Sequence, residues 1–221
     1  MMRRGRAPLD IRPKRLPRHR QPVETILIVG EGKETEPNYF RGLRDDPRVR
    51  DRIRLIVKEG RGGSPEDVTR QAIKEKADAE DRQEAFEEVW CVWDLEGSNQ
   101  FQSARTAIGL ATANGVTPCA SNPCFEVWFL SHFQRASRPF NDGDAVIREL
   151  NRYWQDHCGQ RYRKSDADVY SRLSGLTSTA ISNAREVLES DHQGRPCIEA
   201  NSSTEVYRLV RRLLGQQKEA T

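Results

Sequence analysis

The sequence predicts an α/β protein: a parallel β-sheet covered by helices, extended at its C-terminal side by helices alone. Three observations carry that expectation. Short apolar, β-branched runs alternate four times with helical patterns between residues 25 and 135, and such alternation with short connections is the signature of a parallel, helix-covered sheet. Two of the runs end in a glycine or an acid at the point where a strand of such a sheet would open into a loop. From Asp142 onward the strand patterns stop and helical ones continue.

The first run, Thr25-Ile-Leu-Ile-Val-Gly30, reads as a buried strand. Asn38–Leu43 then reads as a helix, with Thr35 or Glu36 available as cap and Pro37 acceptable in the first turn. Ile53–Val57 is the second strand. In Gly60-Arg-Gly-Gly-Ser-Pro65, Ser64 is a natural N-cap and Pro65 a natural first helical residue, with Glu66 and Asp67 placed where the helix dipole favours anions. That helix runs to about Asp81. The third strand is Glu88–Trp93, ending on Asp94; packing explains Trp90 and Trp93 within it. Gln102–Ala113 is a helix closed by Asn114-Gly115, and Val116–Ala120 is the fourth strand. Asn122-Pro123 then reads as the cap of an apolar helix, Cys124–Phe133. Helical patterns over Asp144–Trp154, Asp166–Leu173, Thr177–Leu188 and Ser203–Leu214 complete the chain with no competing strand. The resulting division is a basic arm (1–24), an α/β core (25–135) and a helical C-terminal part packed on the core (136–221).

Composition narrows the class. A chain of 221 residues is one ordinary domain with room for a sizeable core, and its 31% charged share gives a highly charged surface. No apolar run approaches the roughly 18 to 20 residues that span a bilayer, and no apolar segment follows the basic N-terminus, so neither a membrane span nor a secretory signal is expected. Five scattered cysteines without a CxxC pair (Cys91, Cys119, Cys124, Cys158, Cys197) point to reduced thiols in the cytoplasm, and against a zinc site or a disulfide frame. The net charge of +3 is unevenly spread: residues 1–24 carry eight Lys/Arg against Asp10 and Glu24, which leaves the remainder at −3. An arm holding Arg12, Lys14, Arg15, Arg18 and Arg20 suits contact with a polyanion, and equally suits a solvated leader. Pro8, Pro13, Pro17 and Pro22 argue against a helix there.

The chemistry-bearing residues are acids. In open parallel sheets, ligands bind at the carboxyl ends of the strands. Glu31 follows the first strand in a glycine-flanked turn, and Asp94 and Glu96 follow the third, alternate residues that share a side while the chain stays extended. Hard cations such as Mg²⁺ or Mn²⁺ take carboxylate, water and phosphate oxygens, and the three acids are the candidate ligands. No GxxxxGK[ST], GxSxG or HExxH motif competes with them. The Gly60–Pro65 loop has two readings, a phosphate cradle at a helix N-terminus or a strand-to-helix turn.

These residues carry a resemblance. Ile26-Leu-Ile-Val-Gly-Glu-Gly-Lys-Glu-Thr-Glu-Pro-Asn-Tyr-Phe40 resembles the opening motif of the RloB-like family, whose members are similar to the Toprim fold. Val89-Trp-Cys-Val-Trp-Asp-Leu-Glu96 stands at the family's D-x-D strand, and Ser121–Phe133 resembles its most distinctive segment. Tyr162-Arg-Lys164 and Asn201–Val206 resemble its C-terminal blocks, so the resemblance spans Thr25 to the last helix and leaves out the arm. It implies a Toprim-like core in which Glu31 acts as metal ligand or general acid/base and the acids at Asp94 and Glu96 hold Mg²⁺. Glu96 departs from the family's aspartate, and its longer side chain changes the geometry available to the ion. The resemblance further implies a nuclease effector of phage defence, working with an ATPase partner chain.

Other residues have paired readings. Phe125, Trp128, Phe129 and His132 share one helix face, so His132 reads as a hydrogen-bonded histidine at the core edge, or else a site residue. Glu126 is a fourth acid or the partner of a buried arginine, and Asn122 lies on its side of the helix. Lys164 is a cation for a transition-state phosphate or a surface lysine. Glu36 adds to the acids or merely charges a helix N-terminus, while Lys33 and Arg61 are candidate backbone contacts. Three functions compete: a metal-dependent nuclease cutting DNA or RNA (tRNA included); a non-catalytic module that binds nucleic acid or the ATPase; and a primase-like nucleotidyl transferase, for which the chain has no evident template-binding domain. A homo-oligomer is compatible with each.

Overall fold

Strand formation begins where the sequence is most β-branched. In the computed structural model, which describes residues 23–96 and 100–216, the strand β1 spans Glu24–Val29 and Ile26 to Val29 are fully buried. It is followed by α1 (Thr35–Asp45), α2 (Pro47–Arg50), β2 (Ile53–Lys58), α3 (Pro65–Asp81), β3 (Glu88–Asp94), α4 (Gln100–Ala113) and β4 (Thr117–Asn122). The expected strand–helix alternation is therefore present, and α3 ends at the expected residue. Its start shows the expected chemistry too: the Ser64 hydroxyl accepts from the Asp67 N–H while the Asp67 carboxylate accepts from the Ser64 N–H, a capping box with Pro65 in the first turn.

The sheet has five strands in the order β2-β1-β3-β4-β5. The pairs β2–β1, β1–β3 and β3–β4 are parallel, with Leu27 opposite Ile56 and Asp94 opposite Ser121. The architecture is the α/β class expected of a Toprim-like core. Because both faces of the central strands are covered, β1 and β3 read as continuous apolar runs rather than alternating ones; Val89 to Trp93 are buried throughout.

Several expectations are corrected. The fifth strand, β5 (Ser203–Thr204), lies where an unbroken helix was expected and pairs antiparallel with Ser121 and Asn122. This partner extends β4 to Asn122, so Asn122 closes a strand instead of capping a helix. Its amide donates to the carbonyls of Cys197 and Ile198 at 3.1 and 3.3 Å. The helix behind it, α5, covers only Glu126–Ser131. Likewise α1 starts at Thr35 with Glu34 as an N-cap that lacks a side-chain bond, so neither Thr35 nor Glu36 caps it. The remaining helices are α6 (Gly143–Cys158), α7 (Val169–Leu173), α8 (Thr177–Glu186) and α9 (Val206–Leu213). A wide π-type turn over Val187–Asp191 ends α8 earlier than expected. The arm residues Arg12, Lys14, Arg15, Arg18 and Arg20 lie outside the described residues.

An aromatic hub joins the two halves. Tyr39 and Phe40 of α1 meet Phe125, Trp128 and Phe129 edge-on or tilted at centroid distances of 5.7–6.2 Å, and Phe129 meets Tyr162 at 5.6 Å and Trp154 at 6.3 Å. Each such pair contributes on the order of 1 kcal/mol beyond its buried area. On α9, Val206, Tyr207, Leu209, Val210 and Leu213 form the buried face. Arg212 reaches back to Glu24 and Glu88, at 2.6 Å each, tying the last helix to the start of β1 and β3. No helix among the described residues is long and apolar enough to cross a membrane.

Candidate active site

The strand order itself selects a location. From β1 the chain moves to one side to form β2, then crosses back to form β3 on the other side of β1. The carboxyl ends of β1 and β3 thus flank the point where the winding reverses, the usual ligand crevice of open α/β sheets. Glu31 and Asp94 stand at those two ends, and the Asp94 N–H donates to Glu31 Oε2 at 2.9 Å.

The turn carrying Glu31 is fixed by backbone bonds to the segment after β2. Gly30 N–H donates to Lys58 O, Gly60 N–H to Gly32 O and Gly62 N–H to Glu31 O, each at 3.1 Å. Gly60 is required for this approach: a Cβ there would stand 2.0 Å from Glu31 O and 2.3 Å from Gly30 O. Since two of the loop's amides are spent on this turn, the turn reading of Gly60–Pro65 holds for them and the phosphate cradle does not.

Three further acids surround this point at different depths. Glu36 (5% exposed) and Glu126 (1% exposed) are buried, whereas Glu96 is exposed. Burial, reinforced by the charges of Glu36 and Glu96, raises the Glu31 carboxyl to about 7 against the opposing Asp94 N–H bond and Lys164. Burial also raises Asp94 well above the usual carboxylate range, reinforced by the charges of Glu36, Glu126 and Glu31. One Asp94 oxygen, Oδ1, is buried with no hydrogen-bond partner. Glu36 is likewise raised, by burial first and then by Glu126, although the Gly32 N–H donates to it at 3.4 Å.

Glu126 lies among the acids, as the first of its two readings had it, and lacks the buried arginine of the second among the described residues. No arginine pairs with it; the Tyr162 hydroxyl donates to Oε1 at 3.1 Å, and Lys164 Nζ stands 3.6 Å from the same oxygen. Lys164 is therefore not merely a surface lysine. Burial pulls it down, but Glu126 and the nearby Glu96 and Asp94 raise it on balance, keeping it charged. Tyr162, a site residue whose role was not legible in the sequence, shares with Lys164 the side of an extended segment that faces Glu126; the i, i+2 spacing was its only local signal.

Two other candidates are separated from the acids. His132 is buried with Nδ1 against Trp128 O at 3.0 Å and Nε2 unpartnered, and burial lowers it to about 4, so it is a neutral core histidine. Asn122 is spent on the carbonyls already described. Lys33 and Arg61 are exposed beside the Glu31 turn. Glu96 is turned toward the start of α6, where its Oε1 accepts from Gly143 N–H at 3.1 Å.

Hydrated hard cations need oxygen donors, and the acids provide them. Yet among the described residues no three His, Cys, Asp or Glu side chains are grouped as a ready metal site. The cause is visible: Glu31 and Glu96 are both turned onto backbone N–H groups. Among the acids of the crevice, Asp94 is the one with a buried oxygen left without a partner among the described residues.

The raised carboxyls predict how stability changes with pH. A carboxyl near 7 in the fold and near 4.5 when unfolded keeps its proton in the folded state over that interval, so folding is favoured at the acid end and weakened as pH rises through about 7. Metal-free protein is expected to lose melting temperature across that window, and Glu31→Gln to flatten the loss. Melting curves at stepped pH in EDTA check this; a flat wild-type profile would contradict the burial of Glu31.

Compared with known families, the chain matches the one described as RloB-like protein over residues 26–213. No curated protein and no solved structure matches it.

Proposed function

The chain belongs to the RloB-like protein family, and on that premise we propose that it is a metal-dependent nuclease that cleaves phosphodiester bonds in DNA or RNA. The observation that supports this reading best is the meeting of Glu31 and Asp94 at the crevice, with Glu36, Glu126 and Glu96 in electrostatic reach and one Asp94 oxygen unsatisfied. Mutually repelling acids at a strand end cost on the order of a kcal/mol or more per close pair, which a structural role does not explain.

The donor set fits Mg²⁺ or Mn²⁺ in kind. Asp94, Glu31 and Glu96 would hold the ion, with Glu31 and Glu96 leaving their backbone donors to do so. When bound, such an ion activates water and stabilises a leaving oxygen. Lys164, held by Glu126, places a cation where charge builds on a phosphate. Tyr162 holds Glu126 by its hydroxyl and keeps that pair oriented. The family's kinship supports an effector of anti-phage defence, restrained or delivered by an ATPase partner, with DNA and RNA (tRNA among them) as candidate substrates.

A second reading, a non-catalytic module binding nucleic acid or the ATPase, is favoured by the absence of a ready three-ligand metal group among the described residues. The deciding experiment is incubation of labelled single-stranded DNA, duplex DNA and total tRNA with Mg²⁺ or Mn²⁺ against EDTA, with and without the partner ATPase. Metal-dependent cutting supports the nuclease. No cutting in any arm moves the assignment to the binding module.

A further inference from the structure

We propose that the segment from Gly159 to Asp168 is the rail on which the phosphodiester backbone of a single-stranded polynucleotide lies, with Arg161 and Arg163 holding the phosphates beside the one that meets Lys164. This rests on the nucleic-acid reading above and names the surface that reading lacks.

The segment leaves α6 through Gly159, in the left-handed conformation at φ 71°, and runs without helix or strand as far as a turn closed by the Asp166 N–H to Arg163 O bond. Its middle is pinned from below. The Tyr162 N–H donates to Asn151 Oδ1 at 2.9 Å, and the Tyr162 hydroxyl reaches Glu126. Tyr162 is buried against Glu126, and Lys164, itself exposed, follows in the turn with its ammonium 3.6 Å from the same carboxylate; Arg161 and Arg163 are exposed on either side of Tyr162.

Those two arginines have no ion-pair partner among the described residues, although acids stand near. Asp166 is taken by Arg172 at 2.9 Å. A cavity of about 300 Å³ opens beside Arg163, lined also by Gln160, Ser165, Asp166 and Ala167, and Arg163, Ser165 and Gln160 supply it with donors. Alternate residues of an extended chain are spaced about 6.6 Å apart, a step that suits neighbouring phosphates of a stretched single strand. Charge gives the reason for such a rail: an acid cluster repels a polyphosphate, so cations must carry the strand past it. Lys33, two residues after Glu31, and Arg61, in the loop hydrogen-bonded to its turn, are exposed cations of the kind such a strand needs.

The test uses full-length Asp94→Asn protein, so that cleavage does not interfere, with and without Arg161→Ala and Arg163→Ala together. Binding of labelled single-stranded RNA, single-stranded DNA, duplex DNA and polyglutamate is titrated over a salt series. The double variant is expected to bind single strands at least about tenfold more weakly, with a salt slope smaller by about 1.4, two contacts at about 0.7 each. Arg161→Lys with Arg163→Lys is expected to keep the slope. Unchanged affinity and slope in a protein that melts normally would overturn the rail, as would an equal loss for polyglutamate, which would assign the surface to an acidic protein. The outcomes separate from those of the nuclease reading. If wild type never cuts yet the slope falls, the rail stands without the nuclease; if wild type cuts and the double variant binds as before, the nuclease stands without the rail.

Discussion

Asp94→Asn is expected to reduce metal-dependent cleavage by at least about 10²-fold, the scale on which acid–base and metal contributions act, while leaving the fold intact. The substitution keeps the shape of the side chain and removes its charge. In the metal-free protein that charge is disfavoured by burial and by three neighbouring glutamates. The variant should therefore melt no lower than wild type, and the difference should grow as rising pH ionises wild-type Asp94. Cleavage assays paired with melting curves in EDTA read both effects. Cutting at the wild-type rate would remove Asp94 from the site. Should the variant fail to fold, Glu31→Gln carries the same test, because its carboxylate contributes only one backbone hydrogen bond to the fold.

Among the glycines of the described residues, Gly60→Ala should have the largest effect on stability. The new Cβ meets two backbone oxygens at 2.0 and 2.3 Å, neither of which can rotate aside as a side chain would. Overpacking of this kind costs about 1–3 kcal/mol and sometimes more, and backbone obstruction places it at or above about 3 kcal/mol. The displaced turn is the one that carries Glu31, so cleavage should fall with stability. Gly109→Ala is the matched control: it lies exposed in α4, its Cβ would meet nothing within 4 Å, and it should stabilise by about 0.5–1 kcal/mol. Urea unfolding of the two variants settles the comparison. Equal stabilities would mean that the contact between Gly60 and the Glu31 turn is not as described.

What could be read from the sequence was whatever depends on near neighbours. The strands β1, β2 and β3 were legible because each is a dense apolar run, and α3 because Ser64, Pro65 and Asp67 carry its start within four residues. Glu31 and Asp94 were legible because strand ends are where an open sheet exposes polar side chains. The misreadings all involve distant partners. Asn122 looks like a helix cap until Ser203, some eighty residues later, extends its strand. Glu126 calls for a cation, but nothing local says that the cation is Lys164 or that Tyr162 supplies a hydroxyl as well. Lone histidines near aromatic residues have the same ambiguity, and only the burial of His132 decides it.

The reach of Arg212 to Glu24 and Glu88 brings the two ends of the described fold together at the amino-terminal edge of the sheet, a strand's length of about 20 Å from Glu31. In topological terms the chain is nearly a ring, closed by one guanidinium. A short peptide joining the ends, with new termini cut in an exposed loop such as that at Gly194, should yield a circular permutant with the same sheet and the same crevice. A reporter domain fused directly at Val23 or at Gln216 would hang from the same edge, behind the sheet and clear of the acids.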